Sequence, residues 1–155
     1  MADYTDVFEN KLFDFLFRGQ TLVIGSRTAT WDTAPTYYFG LLSTVGNDAG
    51  GETECTGTSY ARASLASSLT NFKGTHGTTT GASSGTDGTG ENAVAITFAT
   101  PGAGGWGTAA GFGIYDAASS GNLLMKKAFT NGSQTINEGN TVQFDADALT
   151  LQVDN

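Results

Sequence analysis

Residues 101–129, PGAGGWGTAAGFGIYDAASSGNLLMKKAF, carry the pattern that decides the fold. From Phe112 to Asp116 apolar side chains alternate with glycine or a polar residue, Ala117 to Gly121 is a run of turn formers, and Leu123-Leu124-Met125 opens a second apolar run. Side chains alternate across a strand with period two, so this is a β-hairpin with Phe112 and Ile114 on one face. Trp106 sits among Gly104, Gly105 and Gly107, which would let a large indole lie against bare backbone. The hairpin is expected to be the central pair of an antiparallel sheet, with Trp106, Phe112 and Ile114 in the core.

Upstream of the hairpin, Thr21–Ile24, Tyr37–Ser43, Tyr60–Leu65 and Ala93–Phe98 read as strands, and Tyr37–Ser43 is apolar enough to be buried on both faces. Downstream, turns at Asn131-Gly132 and at Asn137–Asn140 precede strands at Thr141–Phe144 and Leu149–Val153. Twenty-two glycines and only 14% charged residues suit short strands and tight turns. The expected fold is mainly β: an antiparallel, jelly-roll-like β-sandwich of about eight strands with one N-terminal helix, in a single domain spanning 1–155. A chain of this length can bury roughly 70% of its unfolded surface and needs no disulfide or metal to fold.

The helix is expected over 6–18, with Thr5 or Asp6 at its start, Asp6 and Glu9 in the first turn and Gly19 at its end. At 100° per residue, Phe8, Leu12, Phe15 and Leu16 form a stripe, and Phe13 and Phe17 widen the apolar arc to roughly 200°, against about 100° for an ordinary surface helix. Asn10, Lys11, Asp14 and Arg18 fall on the polar side. Phe8, Leu12, Phe13 and Phe17 are therefore candidates for contact with a neighbouring subunit; the alternative is a long loop laid over them. The Gly/Thr-rich stretch 74–90, apolar only at Ala82, is expected to be an exposed excursion.

Fifteen acidic residues against seven basic ones give a formal charge of −8 and no Lys/Arg cluster, which argues against nucleic acid and against an anionic membrane surface as partners. No run approaches the ~20 apolar residues of a spanning helix, and the first residues carry no secretion signal, so a soluble protein is expected. Cys55 is the only cysteine and follows Glu52 and Glu54, whose charges oppose a thiolate. His76 is the only histidine and lacks the partners of a catalytic relay. Glu52/Glu54 and Asp145/Asp147, spaced i, i+2, could place two carboxylates on one strand face for Ca²⁺ or glycoside hydrolysis, but the ordinary reading is solvent-facing charge on edge strands. Trp106, Tyr37, Tyr38, Tyr60 and Tyr115 could stack on sugars, although their spacing is that of packed residues. No catalytic residue, metal ligand or cofactor site is assigned, and the protein is expected not to be an enzyme.

An ordered set of segments resembles a family of small tailed-phage virion proteins of tail-fibre-like or capsid-decoration type. The segments are Phe8–Phe17, Tyr38–Thr44, Glu54–Arg62, Ile96–Phe98, Gly104–Thr108, Phe112–Ala117, Gly121–Leu124, Gly139–Phe144 and Leu149–Leu151. The stretch 74–90 and the loop around Arg27–Thr33 depart from the pattern. The resemblance implies a structural protein of the phage particle surface, assembled in the host cytoplasm, whose partners are copies of itself, as a homotrimer, and the major capsid protein or tail proteins. The absence of heptads or short repeats argues against an elongated shaft and favours a compact cement protein on the head. The alternatives are a tail-associated fibre or adhesin domain that binds host surface glycans and, last, a polysaccharide hydrolase.

Overall fold

A chain rich in glycine and threonine and poor in helix formers makes one helix. The computed structural model describes residues 4–74 and 80–153; α1 (Asp6–Arg18) is followed by fourteen short strands among the described residues. In order these are β1 (Leu22–Ile24), β2 (Arg27–Ala29), β3 (Thr36–Thr44), β4 (Thr53–Glu54), β5 (Ala63–Ala66), β6 (Phe72–Lys73), β7 (Thr89–Asn92), β8 (Ile96–Thr97), β9 (Gly107–Ala109), β10 (Gly111–Tyr115), β11 (Leu123–Ala128), β12 (Gln134–Ile136), β13 (Gln143–Phe144) and β14 (Thr150–Gln152). The fold is mainly β with one N-terminal helix and several antiparallel sheets, consistent with a β-sandwich.

The strands form two compact units. One is drawn from Thr36–Leu65 and Thr97–Gln143, the other from Met1–Pro35, Ala66–Ile96 and Phe144–Asn155.

In the Thr36–Leu65/Thr97–Gln143 unit, β10 pairs antiparallel with β11 on one side and with β3 on the other, Ile114 facing Met125 and Phe39 across the two ladders. The sheet order is β11-β10-β3-β4, with β5 also paired to β3, so the hairpin strand β10 and the apolar β3 are its interior strands. All five residues of β10 are buried, and Phe39, Leu41 and Leu42 of β3 are equally enclosed. Trp106 is buried and donates its indole N–H to the Thr58 carbonyl at 3.0 Å. The bare backbone against its ring belongs to Gly57, where a Cβ would come within 2.8 Å of Cδ1. Gly104 and Gly107 instead have open space at that position and adopt positive φ, so their role is to turn the chain.

The other unit holds α1, the hairpin β1–β2 and a three-stranded sheet in the order β14-β7-β6. The expected strand Ala93–Phe98 is interrupted here. Asn92, fully buried, donates from Nδ2 to the Val94 and Asp145 carbonyls at 2.9 and 2.7 Å and accepts the Leu149 N–H at 2.9 Å. Those bonds fold the chain back after β7, and extended structure resumes only at β8, which pairs with β13. Strands β2, β4, β6, β7, β9 and β12 are two to four residues long, too short for alternation to register, which accounts for the excess over eight.

Candidate functional site

Helix α1 begins where the Thr5 carbonyl accepts the N–H groups of Phe8 and Glu9 and ends at Gly19, whose φ of 66° is left-handed. Acidic Asp6 and Glu9 in its first turn and Arg18 in its last turn complement the helix dipole. The face it buries is not the one polarity alone selects. Glu9, Asn10, Phe13, Asp14, Phe17 and Arg18 are buried, whereas Phe8, Leu12, Phe15 and Leu16 are only half-buried.

Two features hold that face inward. Phe13 and Phe17 are 0% and 3% exposed; their rings lie 5.1 Å apart and Phe17 continues to Phe72 at 5.6 Å. Gly90 of β7 lies directly against the Phe13 ring, which occupies the space of a Cβ. The second feature is polar. Arg18 pairs with Asp14 at 2.5 Å and donates to the Ser83 hydroxyl and the Gly81 carbonyl; the Ser83 N–H donates to the other Asp14 oxygen at 2.8 Å, and Asn10 Nδ2 donates to the Gly85 carbonyl. The described part of the 74–90 stretch is strapped to the helix at Gly81, Ser83 and Gly85, while Thr80, Gly81, Ala82, Ser84, Thr86 and Asp87 are exposed, as its composition suggested. Gly88 and Gly90 are buried, and Ser83 and Gly85 half-buried. His76 lies outside the described residues.

Of the four residues expected to meet a neighbouring subunit, Phe13 and Phe17 are enclosed by their own chain, and Phe8 and Leu12 remain at the surface. The outward stripe of the helix runs through Tyr4, Val7, Phe8, Lys11 and Phe15, at helical spacing. Tyr4 meets Phe8 edge-on at 5.2 Å. Trp31 stacks on Phe15 at 4.6 Å and donates its indole N–H to the Phe15 carbonyl at 2.8 Å, so a loop residue covers part of the stripe. Lys11 Nζ donates to the Val23 carbonyl and ties the helix to the β1–β2 arm. Five of the six exposed large hydrophobic residues among those described lie here: Tyr4 (55% exposed), Val7 (65%), Val23 (42%), Ile24 (52%) and Trp31 (37%). Tyr4, Val7, Val23, Ile24 and Trp31 were not anticipated. The i, i+3, i+7 spacing of Tyr4, Val7 and Lys11 is the one signal that could have extended the stripe.

The two members of each carboxylate pair have separate partners. Glu54 accepts Arg62 through both oxygens (2.9 and 2.7 Å) and the Tyr60 hydroxyl at 2.8 Å. Arg62 also donates to the Ala117 and Ser120 carbonyls and lies 3.3 Å over the Tyr115 ring, fastening the β10–β11 turn. Burial and then the Glu54 hydrogen bond push the Tyr60 hydroxyl pKa up, and the Glu54 contact raises that of Arg62. Glu52 pairs separately with Lys126 at 3.0 Å, which lowers its pKa. Asp147 pairs with Lys73, and Asp145 offers its backbone carbonyl to Asn92. Tyr37 and Tyr115 are buried, and burial pushes Tyr37 up to about 12. Among the described residues no three His, Cys, Asp or Glu side chains surround a common point.

The described residues thus make a mainly β chain in which ion pairs brace turns and straps and exposed apolar side chains gather on one helix and the arm beside it. The chain belongs to the family described as podophage GP4 fiber I protein gp80, whose family model matches residues 3–152. It is a phage virion structural protein of tail-fibre type, in line with the resemblance carried by its ordered segments. No curated protein matches the chain.

Proposed function

We propose that this protein is a structural subunit of the tail-fibre apparatus, seated in the particle through the outer stripe of α1 and the β1–β2 arm. The gathering of five exposed large hydrophobic residues on these elements carries this reading. At about 150–250 Å² for a whole aromatic side chain, and less for Val and Ile, their exposed fractions leave on the order of 400–500 Å² of apolar surface in water. That is about half of the ~800 Å² each partner contributes to a standard interface. Phe8, Leu12 and Phe15, half-buried alongside, enlarge it on docking.

The test is incorporation into particles. Phage carrying Val7→Asp should assemble without this protein while the purified variant stays folded, because Val7 lies at the surface. Normal incorporation overturns the reading. A second reading, a cement protein on the head, is favoured by the lack of shaft-forming heptads or short repeats. Copy number against the major capsid protein separates the two: dozens of copies or fewer fit the tail, hundreds fit the head.

A further inference from the structure

The β1–β2 arm is unusual in what it leaves uncovered. In its register Ile24 faces Arg27 and Val23 faces Thr28, so Val23 and Ile24 lie on opposite faces of a two-stranded ribbon, and both are exposed. A flat partner surface covers one face of such a ribbon; only insertion into a concave surface covers both. An isolated two-stranded hairpin is marginally stable in water, so a receiving surface also completes the arm.

Charge narrows the receiver. Of the seven basic residues, Arg18, Arg62, Lys73 and Lys126 are paired with Asp14, Glu54, Asp147 and Glu52. The other three form no ion pair with a described acidic residue: Lys127 of β11 and, on the arm side, Lys11 at its root and Arg27 beside its turn. Back-to-back pairing of two identical arms would set the arm-side cations against each other, so a symmetric contact is disfavoured. A receiving surface should be concave, apolar at its floor and acidic at its rim.

The Thr36–Leu65/Thr97–Gln143 unit carries a concave surface of mixed polar and apolar lining, with Asp48 as its one carboxylate outside an ion pair, since Glu52 is held by Lys126. Asp48, Ala49, Gly50 and Glu52 with Leu123–Lys126 of β11 line a shallow depression of about 410 Å³. Leu124 in it, 48% exposed, is the sixth exposed large hydrophobic residue. Asp48 is exposed at the rim, and β11 is the end strand of its sheet, paired only with β10 among the described strands. An end strand offers unpaired backbone groups to an incoming strand such as β2.

We infer that the β1–β2 arm of one copy of this chain inserts into the Asp48–Glu52/Leu123–Lys126 depression of another copy. Resting on the reading of the arm as a docking element, this names its partner. Ile24 or Val23 meets Leu124, and Arg27 meets Asp48. Because the two surfaces differ, the contact is head-to-tail and generates either a closed ring, of which a trimer is one closure, or a filament.

The full chain is tested by sedimentation over a range of concentrations. Wild type should associate as concentration rises, and Ile24→Asp and Leu124→Asp should each stay monomeric. Mixed one to one, the two variants should form a dimer and stop there, since each supplies the surface the other lacks. Arg27→Glu or Asp48→Lys alone should weaken association at least tenfold, and the two in one chain should restore it. Either aspartate variant associating like wild type, or a mixture that stays monomeric with both variants folded by circular dichroism, overturns the inference. If Ile24→Asp is lost from particles while Leu124→Asp is incorporated normally and wild type never self-associates, the arm docks on a different virion protein. The inference then fails while the structural role stands.

Discussion

Replacing Asp14 by alanine tests the inward turn of the helix's charged side. Arg18 is fully buried and pairs with Asp14 at 2.5 Å, while the second Asp14 oxygen accepts the Ser83 N–H at 2.8 Å. Removing one partner of a buried pair leaves an uncompensated charge and costs about 3–5 kcal/mol. The Gly81 carbonyl and Ser83 hydroxyl still receive the guanidinium, which places the expected loss at the lower end, about 3 kcal/mol. At roughly 2–4 °C per kcal/mol for a chain of this size, the melting temperature should fall by about 6–12 °C. Had Asn10, Asp14 and Arg18 faced water, the same change would cost less than about 1 kcal/mol. Thermal and urea denaturation followed by circular dichroism read the difference. The double variant Asp14→Leu/Arg18→Met should recover at least half of the loss, because apolar replacement of a buried pair is often neutral. An Asp14→Ala protein within about 0.5 kcal/mol of wild type, the range of an ordinary surface substitution, would refute the buried pair and the strap it anchors.

Gly90→Ala should cost about 1–3 kcal/mol in urea denaturation, because the added methyl group overlaps the Phe13 ring. Arg62→Lys keeps the charge but loses the two-oxygen grip on Glu54 and the flat stack on Tyr115; it should cost about 1–3 kcal/mol and raise hydrogen exchange in the 116–122 turn. Tyr37 is protonated in the folded state up to about pH 12, whereas an unfolded tyrosine ionises near 10. The unfolded state therefore binds fewer protons above pH 10, and stability should decline between about pH 10 and 12, less steeply in Tyr37→Phe. Absorbance of ionised tyrosine in an alkaline titration checks the order of ionisation.

What could be read from the sequence follows how far along the chain each determinant extends. The β10–β11 hairpin and β3 were legible because five to nine consecutive residues repeat one rule, apolar side chains at period two or throughout. The end of the helix was legible from Gly19, whose effect is local, whereas Thr5 flanks its start without a side-chain capping bond. The face α1 turns inward was not legible. A helical wheel ranks positions by polarity, and the residues that make Asp14 and Asn10 welcome inside, Ser83 and Gly85, lie 69 and 75 positions away. The break at Asn92 escaped for the same reason, since it is set by bonds to Asp145 and Leu149 across more than fifty residues. The composition of 74–90 correctly excluded an apolar core segment, but glycine there also serves close packing, as Gly90 does against Phe13.

The inverted helix bears on how such a subunit reaches its place. Were Phe8, Leu12 and Phe15 the residues that seat α1, a subunit waiting in solution would have lost the helical part of the apolar surface it offers. Here Phe13 and Phe17 bury against their own unit, and Asp14, Asn10 and the terminal nitrogens of Arg18 are bonded to 81–85, so α1 keeps its position with the stripe in water. Burial of a satisfied polar group costs little, whereas an unsatisfied one costs about 1–3 kcal/mol, so the strap also penalises rotating the helix to hide its stripe. Under the proposed docking role, this arrangement lets the chain fold before it docks, with an apolar stripe held outward by polar bonds on the opposite side of the same helix.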